Sequence, residues 1–432
     1  MRVPGDKSIG HRAVLFAGLA RGVVEVTGLS GGEDNQRTVA ALRALGVRIE
    51  PGADGALIVH GVGVDGLRAA PGPIDCGNSG TSMRLLAGLL AAQPFASTLV
   101  GDEYLHRRPM RRVAEPLTRM GARVTGATGT RAGELYPPLT LEGGALSGID
   151  CSLEIASAQV KSAILLAGLF ARGATVVREP GPSRDHSERL LATLGAPVTT
   201  PAPLTSCVDP TGWDRTLLAR PLHVPGDPSS SAFLLAAGLL AGVTAAGLVV
   251  EGVCVNPTRT GFLDALRAMG AEILVEHERV VGGEPIADLV LRATGDLVGA
   301  TLEGALVVRA IDEIPVLCAV AARARGVTVV RNAEELRVKE SDRIVTTVRA
   351  LRALGVRAEE RPDGLVIEGD PSRPLTPGAV DSAGDHRIAM AAVVAALTAS
   401  GPCLVRDVDN VATSFPGFAR LLTDLGARVD PS

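Results

Sequence analysis

Aromatic side chains are scarce in this chain. One Trp, two Tyr and seven Phe make up 2% of its 432 residues, although 46% of the chain is hydrophobic. A core of this size must therefore be filled by Ala, Val, Leu and Ile, with Gly permitting close approach. No stretch of 18 or more uncharged apolar residues occurs, so no membrane-spanning helix is expected. The six cysteines (Cys76, Cys151, Cys207, Cys254, Cys318 and Cys403) are scattered, without a Cys-x-x-Cys pair or a partnering His cluster. That argues against a metal site or a disulfide framework, and for free thiols in a reducing compartment. An excess of positive charge is also missing, since 43 Lys and Arg face 47 Asp and Glu. Nothing points to nucleic acid, and an anion site must come from local clustering of cations. No secretion signal precedes the first motif, and a cytoplasmic location is expected.

What is present is repetition. A helix-ending signature, Leu/Met-Gly-Ala/Val, recurs at Gly46, Gly121, Gly195, Gly270, Gly355 and Gly426. The intervals run from 71 to 85 residues and are mostly near 75, as a true repeat requires. Glycine is the residue expected just past a helix end, where the backbone turns left-handed. A second signature precedes each one: a small-residue helix, a turn, then a Val-rich strand. It spans residues 13–26, 82–100, 160–177, 232–250, 316–330 and 388–405. Six units of about 75 residues are too large for a solenoid of short repeats. Three units in each of two α/β domains is the natural grouping. The boundary is expected at residues 222–227, where Val224-Pro225-Gly226-Asp227 echoes Val3-Pro4-Gly5-Asp6. Residues 200–220, rich in proline and holding Trp213, read as an irregular excursion before it.

The starts of the six small-residue helices carry the chemistry. They hold Lys7, Ser8 and Arg12; Asn78, Gly80 and Arg84; Ser157, Ala158, Gln159 and Lys161; Asp227 and Ser229 to Ser231; Asp312 and Glu313; and Asp385, His386 and Arg387. Capping by Ser, Asp and Asn accounts for part of this, above all in the fourth copy. It does not account for Lys7, Arg12, Arg84 and Arg387, cations placed where the helix dipole opposes them. Six helix starts arranged about common axes would offer dipoles and cations to one heavily anionic ligand. Further charge lies in the basic run at 104–112, in the segment 183–188, and in the alternating run at 336–343. Read as a helix, that last run stacks Lys339 and Arg343 on one face, with a solvated salt-bridged surface as the simpler reading.

At this point the residues resemble a known family, the 5-enolpyruvylshikimate-3-phosphate synthases. The motifs are Pro-Gly-Asp-Lys-Ser-Ile-Gly-His-Arg at 4–12, Gly-Asn-Ser-Gly-Thr-Ser-Met-Arg at 77–84, Arg-Pro-Met at 108–110 and Ser-Ala-Gln-Val-Lys-Ser-Ala at 157–163. They continue with Gly-Asp-Pro-Ser-Ser at 226–230, Arg-Val-Lys-Glu-Ser-Asp-Arg at 337–343, Asp-His-Arg-Ile-Ala-Met at 385–390 and Ala-Thr-Ser-Phe-Pro at 412–416. They stand in family order across nearly the whole chain. The resemblance implies an α/β fold, the two-domain inverse α/β barrel of the enolpyruvyl transferases, with six βαβαββ repeats, three per domain. The domains would be residues 4–224, and 225–432 with 1–3, with the active site in the cleft between them.

It also implies the activity: transfer of the enolpyruvyl group of phosphoenolpyruvate to the 5-hydroxyl of shikimate 3-phosphate. By resemblance, Lys7, Ser8, Arg12, Ser157, Ala158, Gln159, Arg184, Asp312 and Lys339 contact shikimate 3-phosphate. Lys7, Asn78, Gly80, Arg108, Gln159, Arg343 and Arg387 contact phosphoenolpyruvate. Asp312, Glu340 and Lys7 are the catalytic candidates, with no cofactor and no metal. Asp312 would act as base toward the hydroxyl and Glu340 as proton shuttle at C3. Partners are the two small substrates and the inhibitor glyphosate, without nucleic acid or membrane, in a monomer.

Two departures from the family pattern matter. Relatives have a longer leader that supplies a strand to the second domain. Only residues 1–3 precede Pro4 here, so either that strand is missing or the start codon is misassigned. Many relatives also carry a Lys where this chain has Thr413. Its absence resembles the subgroup containing glyphosate-tolerant enzymes, whose tolerance goes with a residue larger than Gly80, so Gly80 predicts sensitivity. The sister transferase acting on UDP-N-acetylglucosamine is disfavoured, because the run at 104–112 lacks its reactive Cys. A noncatalytic phospho-ligand-binding protein would not need both Asp312 and Glu340.

Overall fold

The computed structural model describes residues 1–129, 131–242, 247–293 and 295–430. The chain forms two compact bodies. One comprises Lys7–Val224 with Val281–Glu284; the other comprises Met1–Asp6, Pro225–Val280 and Pro285–Ser432. Residues 4–6 thus group with the second body, not with the first as the sequence reading had it. The reason is backbone pairing: Asp227 N donates to Pro4 O at 2.9 Å and Asp6 N to Pro225 O at 2.7 Å.

The first body repeats one plan three times. Inner helices Lys7–Leu19, Gly80–Leu90 and Ala158–Gly168 lead into strands Arg21–Thr27, Ala96–Val100 and Thr175–Arg178. Outer helices Glu33–Ala44, Arg111–Met120 and His186–Thr193 follow, each running into an antiparallel hairpin. Each of the three sheets adds a short parallel strand, which in the second and third repeats (Ile74–Asp75 and Asp150–Ser152) lies just before the inner helix. For the first sheet that strand is Leu222–His223, which pairs with Arg21–Thr27 and so returns the third repeat to the first. The excursion expected at 200–220 is therefore partly regular. Strands Val198–Ala202 and Thr205–Val208 are the hairpin of the third repeat, pairing with each other and with Thr175–Arg178. Its proline content masked the strand signal.

The inner helices are apolar or small on every side, and almost every residue in them is buried, as expected of helices surrounded by protein. The shortage of aromatics has a steric cause here. A Cβ on Gly88 would lie 2.2 Å from the carbonyl oxygen of Ala163 on the neighbouring inner helix. Helices this close leave no volume for large rings between them.

In the second body, inner helices Pro228–Ala241, Ile314–Ala321 and His386–Ala396 pack against one another. They lead to strands Leu248–Cys254, Gly326–Val330 and Leu404–Arg406. Part of the fourth unit's turn, residues 243–246, lies outside the described residues. The sixth unit is shorter than its siblings. After the helix Phe418–Asp424 no strand follows among the described residues, so the final hairpin of a full repeat is not seen. Phe418 instead packs its ring on Phe233 and Phe415, at centroid distances of 5.9 and 5.4 Å. No strand forms at residues 1–4, as expected, although Met1 bonds to the strand Leu248–Cys254. Met1 donates its amino group to Val249 O at 2.8 Å and accepts from Glu251 N at 2.9 Å. The helix-ending glycines behave as their position demands, with Gly46 at φ +92° and Gly121 at φ +113°.

Candidate active site

In the first body, Lys7 is the first residue of its inner helix, and its Nζ lies 3.0 Å from Asp34 Oδ2. The helix begins earlier than the polar sequence suggests, so Arg12 sits in its second turn, 2% exposed. Arg12 is held by Nε to Ser187 Oγ at 2.7 Å, Nη1 to Ser8 O at 2.8 Å and Nη2 to Ser162 Oγ at 2.8 Å. Arg184 Nη1 donates to Ser8 Oγ at 3.3 Å. Ser8, Arg12 and Arg184 therefore form one cluster, with Ser162 and Ser187 added by the fold.

A second cluster gathers four of the phosphoenolpyruvate candidates of this body, Asn78, Gly80, Arg108 and Gln159. Arg108 Nη2 donates to Asn78 Oδ1 at 2.6 Å, and Arg84 Nη1 to Gln159 Oε1 at 2.5 Å. Gln159 Nε2 donates to Thr81 Oγ1 at 2.8 Å. Ser157 caps the helix that carries Ala158 and Gln159, accepting from Val160 N at 3.5 Å. One turn on, Lys161 is buried between Glu179 and Glu188, at 2.6 and 2.8 Å. Burial alone would lower its pKa, but Glu188 and Glu179 outweigh burial and raise it. This pairing ties the start of that helix to the helix bearing Ser187.

Gly80 lies between two guanidiniums. A Cβ there would stand 3.0 Å from Arg84 Nη1 and 3.1 Å from Arg108 Nη1. Both contacts are the far ends of flexible side chains, so they would shift without unfolding the helix. Gly80→Ala is accordingly expected to raise the glyphosate inhibition constant by about tenfold, ~1.4 kcal/mol, in steady-state inhibition assays. An unchanged constant would remove the steric argument.

In the second body, the candidates converge on Arg343, whose side chain is 1% exposed. Its Nη1 is 3.2 Å from Asp312 Oδ1, its Nη2 2.6 Å from Glu340 Oε2, and its Nε 2.8 Å from Asp385 Oδ2. Arg387 donates Nη1 to the Asp312 carbonyl at 3.0 Å, and its Nη2 is 3.6 Å from Asp312 Oδ2. Burial works against the Arg343 cation, but Asp385, Glu340 and Asp312 more than compensate, and its pKa rises. Burial likewise pushes the Asp385 carboxyl up, and Arg343 beside it brings it below the usual aspartate value.

The run 336–343 is not one helix. A 3₁₀ turn, Glu334–Val338, ends at Lys339, whose backbone is extended, and Asp342 caps a new helix by accepting from Val345 N at 3.2 Å. Lys339 and Arg343 therefore share no helical face. Lys339 pairs instead with Glu335 at 3.2 Å, apart from the Arg343 cluster. The capping aspartate broke the expected stack.

Asp385 also joins this cluster, a role the sequence reading did not give it beyond its place at a helix start. An Asp before a helix reads as a cap, and it does accept from Arg387 N at 3.0 Å. Its second task, holding Arg343, depends on a residue 42 positions away and leaves no local signal.

Beneath this cluster Arg259 contacts Asp6 at 2.7 Å, Asp227 at 3.3 Å and Glu313 at 3.7 Å. Ser229 Oγ donates to Glu313. Burial and the like charge of Asp6 push the Asp227 carboxyl up from 3.8 to about 6, against the pull of Arg259 and Arg387. A carboxyl with a raised folded pKa stabilises the fold fully below its unfolded value, and the contribution is lost as pH rises through the folded one. The parent should therefore lose stability relative to Asp227→Asn between about pH 4 and pH 6, read from urea midpoints. Asn preserves the helix cap. Parallel pH profiles would refute the assignment.

All six cysteines are free thiols. Among the described residues no group of three or more His, Cys, Asp or Glu is placed to hold a metal ion. Also among them, no helix is long and apolar enough to cross a membrane.

A threefold repeat of buried inner helices, with arginines clustered near their starts, defines the class: an enolpyruvyl-transferase fold. The structure of NikO, an enolpyruvyl transferase from Streptomyces tendae, matches with a TM-score of 0.78 at 20% identity, covering 99% of this chain and 94% of that one. That likeness concerns the fold alone. EPSP synthase from Acinetobacter baumannii matches with a TM-score of 0.87 at 44% identity, over 98% of this chain and 94% of that one. The 3-phosphoshikimate 1-carboxyvinyltransferase of Acidithiobacillus ferrooxidans is 52% identical over 424 residues, 98% of this chain and 94% of its own. That of Geobacter sulfurreducens is 50% identical over 427 residues, 99% of this chain and 96% of its own. The sequence profile of EPSP synthase (3-phosphoshikimate 1-carboxyvinyltransferase) matches residues 1–422. The chain belongs to the EPSP synthase family.

Proposed function

We propose that the protein transfers the enolpyruvyl group of phosphoenolpyruvate to the 5-hydroxyl of shikimate 3-phosphate, releasing phosphate through a tetrahedral intermediate. The observation that carries the reading is the sharing of one buried guanidinium, Arg343, by the two carboxylates the chemistry needs, Asp312 and Glu340. Asp312 takes the proton of the attacking hydroxyl, and Glu340 gives a proton to C3 and later recovers it. Lys7, Ser8, Arg12, Arg184, Lys339 and the helix start at Ser157, Ala158 and Gln159 hold shikimate 3-phosphate. Asn78, Gly80, Arg108, Gln159, Arg343 and Arg387 receive phosphoenolpyruvate, where planar guanidiniums match carboxylate and phosphate. Lys7 lies with both substrates and offsets charge developing on the departing phosphate. Water must be kept from the cationic intermediate.

The step uses acid–base and electrostatic catalysis and asks for no cofactor. The protein acts as a cytoplasmic monomer in the shikimate route to aromatic amino acids, with glyphosate as an inhibitor, and without nucleic acid or a membrane as partner. The test is phosphate release by the purified protein. Release is expected only when shikimate 3-phosphate and phosphoenolpyruvate are both present. Release that instead requires UDP-N-acetylglucosamine would overturn the reading.

A further inference from the structure

The cations meant for phosphoenolpyruvate are already occupied in the second body. Arg343 gives Nε to Asp385, Nη1 to Asp312, and Nη2 to Glu340 and, at 3.3 Å, to Asp385 Oδ1. Arg387 faces Asp312, and its Nη1 lies 4.0 Å from Glu313 Oε1. Four carboxylates thus surround two guanidiniums. A substrate with a carboxylate and a phosphate would add more negative charge to a site where charges are poorly screened. Something must leave the arginines, and the added charge must be compensated.

The geometry shows which carboxylate can leave. Asp385 and Glu313 are wholly buried, and Asp385 also caps the helix that begins at His386. Asp312 keeps 15% and Glu340 26% of its side chain exposed. Asp312 is held by both arginines, and Glu340 pairs with Arg343 from the more exposed position. Glu340 lies between the 3₁₀ turn Glu334–Val338 and the cap Asp342. Its side chain can swing without unwinding a helix.

We propose that Glu340 occupies the place on Arg343 that an anionic group of phosphoenolpyruvate takes, and that its displacement is coupled to uptake of a proton from solvent. The inference rests on the assignment of Arg343 and Glu340 made above. The charged groups around Glu340 favour the exchange. They are Arg343 on the following helix, with Asp312 and Asp385 on the same guanidinium, and Arg387 facing Asp312. On its own segment Lys339 is paired with Glu335. Once Arg343 turns to the substrate, Glu340 is left near Asp312 and Asp385, and like charge favours its protonated form.

Binding thereby arms the acid. The displaced carboxylate gains a solvent proton and becomes the donor to C3, while the 5-hydroxyl oxygen bonds to C2 and passes its proton to Asp312. On elimination the C–O bond to phosphate breaks with its electron pair on oxygen, and C3 returns its proton to Glu340. The hydroxyl proton leaves with hydrogen phosphate. Glu340 then yields its proton to solvent and returns to Arg343.

The experiment is calorimetric titration of phosphoenolpyruvate into the whole protein saturated with 5-deoxyshikimate 3-phosphate, which lacks the attacking hydroxyl. Buffers of different ionisation enthalpy report the proton balance, at about pH 7.5, and uptake of about one proton per ligand is expected. In Glu340→Gln the uptake should vanish. Phosphoenolpyruvate should bind at least about fivefold more tightly, because the internal competitor is weakened. Phosphate release should fall about a hundredfold. Tighter binding with lost turnover is a split that a merely structural Glu340 would not produce. Glu340→Asp, shortened by one methylene, should also bind phosphoenolpyruvate more tightly while retaining uptake, which covers the case of a poorly folding Gln variant. Absence of buffer dependence in the parent, or equal or weaker binding in both variants, overturns the inference. Phosphate release with the natural substrates separates the two levels: release without proton uptake defeats this inference alone, whereas no release defeats the enzyme reading and this inference with it.

Discussion

Lys7→Met is expected to lower kcat/KM for both substrates by about 10³-fold, while the thermal midpoint moves only a few degrees. Lys7 begins an inner helix, where the dipole disfavours a cation. Its side chain is 19% exposed and pairs with Asp34. Methionine keeps the stem and removes the charge. Asp34 is itself 13% exposed, so it is not left as a wholly buried anion. The loss should therefore appear in phosphate-release kinetics and barely in calorimetric unfolding. Lys7→Arg should not restore activity, because a planar fork does not replace a compact ammonium. Turnover within tenfold of the parent would place the departing phosphate elsewhere.

Arg343→Met should produce the largest loss of stability, about 3–5 kcal/mol in urea unfolding, because one deletion strands a buried carboxylate and exposes two more to mutual repulsion. Asp385 is 0% and Arg343 1% exposed, so water cannot replace the missing cation. Phosphate release should be lost as well. Two further measurements separate the causes. Asp385→Asn added to Arg343→Met should recover part of the stability and none of the turnover, as a double-mutant cycle reads for residues in contact. The pH dependence has a definite sign. Asp385 is held below its usual value of 3.8, so its pairing stabilises the fold above that value and the contribution is lost as pH falls through the lower, folded one. Parent and Arg343→Met should thus converge in stability in acid and diverge toward neutrality. A variant as stable as the parent at neutral pH would show that the cluster is not under electrostatic load.

Local rules carried much of the fold. The glycine signature worked because a left-handed helix end admits few residues other than Gly, so Gly46, Gly121 and their counterparts mark helix ends independently of context. The small-residue helices worked because helices with no polar face must be surrounded. The hairpin at 198–208 was misread because proline weakens a strand signal, and a strand is stabilised by the partner it pairs with. The run 336–343 departs from its helical reading for the opposite reason, while its Lys339–Glu335 and Arg337–Asp342 pairs fit the salt-bridged surface. Its charge spacing suits a helix, but the cap at Asp342 starts a new one and leaves Lys339 outside it.

The candidate site divides along the same line. Lys7, Arg84 and Arg387 could be singled out from the chain because each violates a local rule at a helix start. Asp385, Ser162 and Ser187 could not, since each looks like an ordinary cap or a small core residue until its distant arginine is in place. The sequence by itself determined the repeat, its helix ends and the family motifs, because these depend on backbone preferences and on residues within a few positions of one another. Only the tertiary structure decided that Arg343 rests on Asp312, Glu340 and Asp385, and that Arg259 gathers Asp6, Asp227 and Glu313. Charge pairing in a low-dielectric interior is set by distances between remote segments, and no local pattern encodes those distances.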